Sequence, residues 1–215
     1  MRIKRILMSL IGVAITAISI GAFKFATFGV DPFQSFMSGI DSLIPLSFGT
    51  LYVIVNAVLL LFALLFDRHY IGIATLINLF LLGYIVEFSQ AFLVQVFPEA
   101  TILVRALSFL FGFVFLCFGS SLYMTADLGV STYDAIALIL TNKWKLGKFR
   151  IIRISTDVAC ILLGFCMYLI SGGSIYHITS FIGIGTLLTA LCMGPLIDLF
   201  NRKMSQPILT VESHK

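Results

Sequence analysis

Charge is scarce in this chain: 11% of its 215 residues are Asp, Glu, Lys or Arg, while 60% are hydrophobic. That shortage excludes a soluble globular domain, whose exterior must be mostly polar. Histidine and cysteine are few as well, at three and four residues. Cys117, Cys160, Cys166 and Cys192 all fall inside apolar runs, with no CxxC pair and no neighbouring histidine. They read as small packing residues, not as metal ligands or disulfides. His69, His177 and His214 are scattered, so no metal and no cofactor is expected. A Walker motif, HExxH, GxSxG and an acidic array of the CDP-alcohol type are also missing. ATP hydrolysis by this chain is thereby excluded, and an enzyme is not expected.

What the chain does contain is apolar length. Its mean hydropathy is +1.08, and apolar runs of roughly 18 to 25 residues recur, the length a helix needs to cross about 30 Å of hydrocarbon. The spacing predicts an all-α polytopic membrane protein with spans near 6–28, 48–66, 70–96, 102–126, 149–171 and 176–200. The basic start Arg2–Arg5 resembles a signal peptide, but its segment has a counterpart deep in the chain and reads as a retained span. With the N-terminus in the cytoplasm, Arg2, Lys4, Arg5, Arg68, Lys143, Lys145, Lys148, Arg150, Arg153, Arg202, Lys203 and Lys215 face inward. Only Lys24 and Arg105 fall near the other face. By the positive-inside rule this places the chain in the cytoplasmic membrane with both termini cytoplasmic. A polar tail after Met204 is expected to be disordered.

Shifting the sequence by one hundred residues lays Gly12 on Gly112, Ala26 on Ala126, Gly29-Val30 on Gly129-Val130 and Phe33 on Tyr133. Further on, Ile71-Gly72-Ile73-Ala74-Thr75-Leu76 matches Ile182-Gly183-Ile184-Gly185-Thr186-Leu187, and in that frame Gly83 meets Gly194 and Glu87 meets Asp198. The expected organisation is a first three-helix repeat over 1–100, a second over 101–204 and a tail over 205–215. An odd number of spans per repeat requires the second half to be inverted, as in many secondary transporters. A duplicated bundle with no transport role is the plainer alternative.

Between the first two spans of each half lies a segment too apolar for a loop and too short to cross: Gly29–Ser47 and Gly129–Leu146. Each follows Gly-Val and opens like a helix start. Asp31 is the expected N-cap of the first, with Pro32 at N1 and Gln34 at N3. Ser131 is that of the second, with Asp134 at N3. These read as re-entrant half-helices whose free amides favour a polar or anionic group, or else as capped interfacial helices. Polar residues inside spans are costly and functional by default. Asn56 and Asp157 are the best central candidates, and Asp157, as a lone carboxylate in its span, is the candidate for proton coupling. Glu87 and Asp198 match across the repeat, although Asp198 is placed to pair with Arg202 at i+4. Asp127 precedes the second break. The expected substrate-binding set is Asp31, Gln34, Asn56, Asp127, Ser131, Tyr133, Asp134 and Asp157.

The stretch Ala126-Asp127-Leu128-Gly129-Val130-Ser131-Thr132-Tyr133-Asp134-Ala135 resembles the A-D-L-G-V-S-P-W-D-A signature of the YczE/YitT-type bacterial membrane proteins. Gly183-Ile184-Gly185-Thr186 and Gly194-Pro195-Leu196-Ile197-Asp198 resemble that family's G-x-G-T and G-P-x-I-D elements. Thr132 stands where the pattern has proline, and Tyr133 where it has tryptophan. The resemblance implies this fold and location, with a role in small-molecule transport or export. The expected function is a secondary transporter working by alternating access. The alternative is a non-transporting membrane partner or assembly subunit, docked through Lys143-Trp144-Lys145-Leu146-Gly147-Lys148. Expected partners are the bilayer, a small-molecule substrate and a second copy of the chain; no nucleic acid is expected.

Overall fold

In hydrocarbon a backbone amide has no water to bond, so an apolar segment satisfies its own peptide groups by forming a helix. In the computed structural model, which describes residues 2–147, 149–173 and 182–210, every regular element is helical. The long helices are α1 (Arg2–Ala26), α3 (Phe48–Phe66), α4 (Ile73–Val96), α5 (Ile102–Ala126), α7 (Phe149–Ile170) and α8 (Ile184–Phe200). Each belongs to a stretch long and apolar enough to cross a membrane, the sixth running from Ile184 on to Leu209. Two short helices, α2 (Pro32–Leu43) and α6 (Thr132–Leu138), fill the two breaks. The expected start of the sixth span near 176, with His177, lies outside the described residues, as do Lys148, the side chain of Arg150 and residues 211–215.

Large side chains such as Leu65, Phe88 and Leu191 point outward, each at least 72% exposed. Lipid suits such a surface; water does not. Inside, helices approach through small residues, as membrane helices do for lack of a hydrophobic drive toward one another. A Cβ on Gly12 of α1 would stand 2.7 Å from the carbonyl oxygen of Gly119 on α5. A Cβ on Gly112 of α5 would stand 3.1 Å from that of Ser19 on α1. On the other side, Gly39 of α2 meets Gly164 of α7, its Cβ position 2.5 Å from the Gly164 oxygen.

Both long first helices end alike. Thr27 and Asp127 take left-handed φ of 60° and 53°, and Gly29 and Gly129 follow at 103° and 104°. Each break is clamped by the far half of the chain. The Phe28 carbonyl accepts from the amide of Gly185 at 2.7 Å, and the Leu128 carbonyl from that of Ala74 at 3.0 Å. Thr186 and Thr75 hold these clamps in shape, their hydroxyls accepting from the amides of Gly183 (3.2 Å) and Gly72 (3.1 Å). The Thr75 hydroxyl also donates to the Val130 carbonyl at 2.6 Å.

Two arginines finish the arrangement. Arg105 donates to the Thr27 hydroxyl at 2.8 Å, and Arg5 stands 3.6 Å from the Asp127 carboxylate. Arg105, an exception to the charge rule, thus has a structural task.

The described part of the tail, up to Thr210, departs from expectation. A π-turn over Asn201–Ser205 leads into α9 (Gln206–Thr210), so the helical path continues past Met204. Polar bonds to α5 account for it. Asn201 accepts from Ser121 (2.7 Å) and Thr125 (3.0 Å), and the buried Ser205 hydroxyl bonds that of Ser121.

Candidate functional site

The two half-helices begin as their sequences dictate. Asp31 accepts from the Gln34 amide at 3.2 Å through Oδ1, and Pro32 occupies a first position that has no amide partner to lose. Ser131 accepts from the Asp134 amide at 3.1 Å. Both helix starts converge. Phe33 and Tyr133, the second residue of each, stack with ring centroids 4.9 Å apart and planes at 21°. Tyr52 of α3 meets Phe33 edge-on at 6.1 Å.

Around this stack lies a cavity of about 80 Å³. Asp31, Gln34, Asn56, Ser131, Tyr133 and Asp134 all line it. Asp157 sits behind Tyr133, accepting from its phenol at 2.7 Å. Seven of the eight residues singled out from the sequence are therefore brought together.

Asp127 is not among them. Its side chain is 87% exposed and faces Arg5 in an open cleft of about 380 Å³ with Asn201 and Leu209. The left-handed backbone at Asp127 turns its carboxylate away from the half-helix that follows, so proximity in sequence does not become proximity in space.

Arg153 organises the charge. Its guanidinium bonds the Asp134 carboxylate directly, its Nε stands 3.4 Å from Asp157, and its charged carbon lies 4.4 Å above the Tyr133 ring. Asp134 also accepts from Ser131 (2.7 Å) and Tyr123 (3.1 Å). The supposed lone carboxylate of Asp157 is thus one arm of an Asp134–Arg153–Asp157 chain. Sequence reasoning assigned Arg153 to the row of cytoplasmic anchors and missed this task. The available signal was its i, i+4 spacing to Asp157.

Asn56 is spoken for. It donates to the Tyr52 carbonyl at 2.8 Å and accepts from the buried Thr132 hydroxyl, tying α6 to α3. Tyr52 in turn donates to Asn78 of α4 at 3.0 Å. By contrast, among the described residues Gln34 Oε1 and Thr16 Oγ1 are buried without a hydrogen-bond partner, and both residues line the cavity. Glu87 lies elsewhere, accepting from the Gly49 amide at 3.2 Å, and Asp198 pairs with Arg202 at 2.6 Å. Among the described residues no cluster of His, Cys, Asp and Glu could hold a metal.

Six lipid-length helices around a small cavity of mixed polar and apolar lining define an integral membrane protein, all-helical in its described residues. The chain belongs to the family of unknown function DUF6198, which it matches over residues 3–202. It is similar to the uncharacterized membrane protein YczE of Bacillus subtilis (strain 168), 25% identical over 171 residues, or 79% of this chain and 72% of that protein. An uncharacterized protein, YyaS, of the same organism is 25% identical over 190 residues, 88% of this chain and 89% of the relative. A third, from Haemophilus influenzae, is 25% identical over 130 residues, 60% of this chain and 53% of its own length. No solved structure matches.

Proposed function

We propose that this protein is a secondary transporter of a small molecule in the cytoplasmic membrane. Its termini are cytoplasmic, and its halves are inverted repeats that give alternating access to the central cavity. One observation carries the reading: two capped half-helices, one from each half, meet at a cavity that keeps buried polar atoms unpartnered. Unsatisfied buried polar groups cost about 1–3 kcal/mol each, and of the three side chains that carry one among the described residues, Thr16 and Gln34 line this cavity and Ser9 does not.

The paired features support the two-half organisation. Thr27 and Asp127, Gly29 and Gly129, Arg5 and Arg105 are each one hundred residues apart in sequence and do matching work. Rocking one half on the other would work the crosswise clamps in turn. The basic stretch after α6 favours anchoring over a docking role: Lys143 bonds the Phe66 carbonyl, and Trp144 packs on Phe62 and Phe66.

The test is a metabolite screen by thermal shift on purified protein. A transporter gives at least one saturable stabiliser whose effect is lost in Asp134→Asn or Asp157→Asn protein that remains folded. If every stabiliser acts equally on these variants, the cavity is not the binding site and the reading fails.

A further inference from the structure

From the charge and donor balance of this cavity we infer that its occupant is a small cation carrying N–H groups, an ammonium or a short alkylammonium. The inference rests on the cavity being the transport site and names its substrate class.

Three carboxylates gather here, Asp31 and Asp134 in the cavity wall and Asp157 behind Tyr133, against a single guanidinium, Arg153, which bonds the latter two. The cluster therefore carries a formal charge of −2. Positive helix ends would ordinarily draw an anion. Here Asp31 already caps α2, and Asp134 sits in the first turn of α6, so the protein's own carboxylates occupy both ends. Arg153 is spent as well, divided between Asp134 and Asp157. An incoming anion would meet uncompensated negative charge in a low-dielectric site, where such charge is costly.

The unpartnered atoms ask for the same thing. Gln34, 2% exposed, presents an acceptor oxygen without a donor, and the Thr16 hydroxyl, on a residue 7% exposed, has no partner either. An ammonium supplies both the missing positive charge and N–H donors for these oxygens. Ile20, Leu82, Leu116 and Met193 also line the cavity and suit a short alkyl chain. The cavity's size, about 80 Å³, admits a few non-hydrogen atoms and no more.

Purified protein is titrated with methylammonium and butylammonium chloride, with tetramethylammonium chloride as a cation lacking N–H donors, and with sodium acetate and phosphate at matched ionic strength. The primary ammonium salts should raise the melting temperature saturably, by about 4 °C at ten times Kd. Tetramethylammonium and the two anions should not. Gln34→Leu removes an unsatisfied atom and Asp31→Asn preserves a good N-cap, so both variants should fold. Each should weaken ammonium binding at least tenfold. Stabilisation by acetate or phosphate that strengthens in Asp31→Asn overturns the cation assignment while sustaining the cavity as the transport site. Ammonium stabilisation unchanged in both variants also overturns it, placing the ion elsewhere. If neither series gives a saturable shift, the cation assignment fails, and the metabolite screen alone then decides the transport reading.

Discussion

At the scale of single residues, position decides what a carboxylate is worth. Asp134 is held by Arg153, Tyr123 and Ser131, with its side chain 12% exposed. Asp198 pairs with Arg202 on the surface, at 57% and 73% exposure. Removing one partner of a buried pair leaves the other charge uncompensated, whereas a surface pair is screened and mobile. Asp134→Asn should therefore cost about 3 kcal/mol of unfolding free energy and Asp198→Asn less than about 1 kcal/mol. Unfolding titrations in mixed micelles check the order; equal losses would mean that water reaches Asp134 freely. Asn56 offers a second comparison. Alone, Asn56→Leu strands the buried Thr132 hydroxyl and should cost about 2 kcal/mol. Adding Thr132→Val removes the stranded group, so the double variant should be no less stable than Asn56→Leu. A strictly additive cycle would show that the bond between these side chains contributes nothing.

At the scale of elements, the breaks depend on backbone that side chains resist. Gly129 has φ of +104°, and a Cβ there would stand 2.5 Å from the Gly72 nitrogen. Gly172 has φ of +80° with open space around it. Gly129→Ala combines strain with collision and should destabilise by more than about 2 kcal/mol; Gly172→Ala carries strain alone, about 1 kcal/mol. Equal losses in thermal melts of the two proteins would mean that the α4 clamp can move aside at no cost. Helix starts were legible because N-cap chemistry is local: Asp31-Pro32 and Ser131 announce themselves within four residues. Helix lengths were legible too, with the second and fourth spans, 48–66 and 102–126, found at their predicted bounds. The clamps were not. Gly72 and Gly183 looked like repeat landmarks, but the bonds that clamp the opposite breaks come from the nearby amides of Ala74 and Gly185, long-range backbone contacts that no local pattern encodes. For the same reason the bonds of Asn201 and Ser205 to α5, which precede the short helix over Gln206–Thr210, were invisible.

At the scale of the molecule, the cavity was legible through the hundred-residue match in sequence: laying Phe33 on Tyr133 paired the two rings that stack at its wall. Its charge balance was hidden, because Arg153 also satisfies the charge rule for orientation and one residue can obey both. The proposed inversion makes a sharper demand than any site residue. If the halves are inverted, the link between second and third spans lies on opposite faces in the two halves. His69 sits in that link in the first half, and Ser171 begins it in the second; both are exposed. Single cysteines at these two positions, in a background with Cys117, Cys160, Cys166 and Cys192 replaced, read the demand directly. A membrane-impermeant maleimide applied to intact cells should label Ser171→Cys and spare His69→Cys, which should react only after permeabilisation. The positive-inside rule fixes the sense, because Arg68 and Lys143 flank the His69 link in space, as the Lys143 bond to Phe66 shows. Labelling of both cysteines from one side would leave the halves parallel. That outcome would break the symmetry argument for alternating access even though every contact around Tyr133 stayed in place.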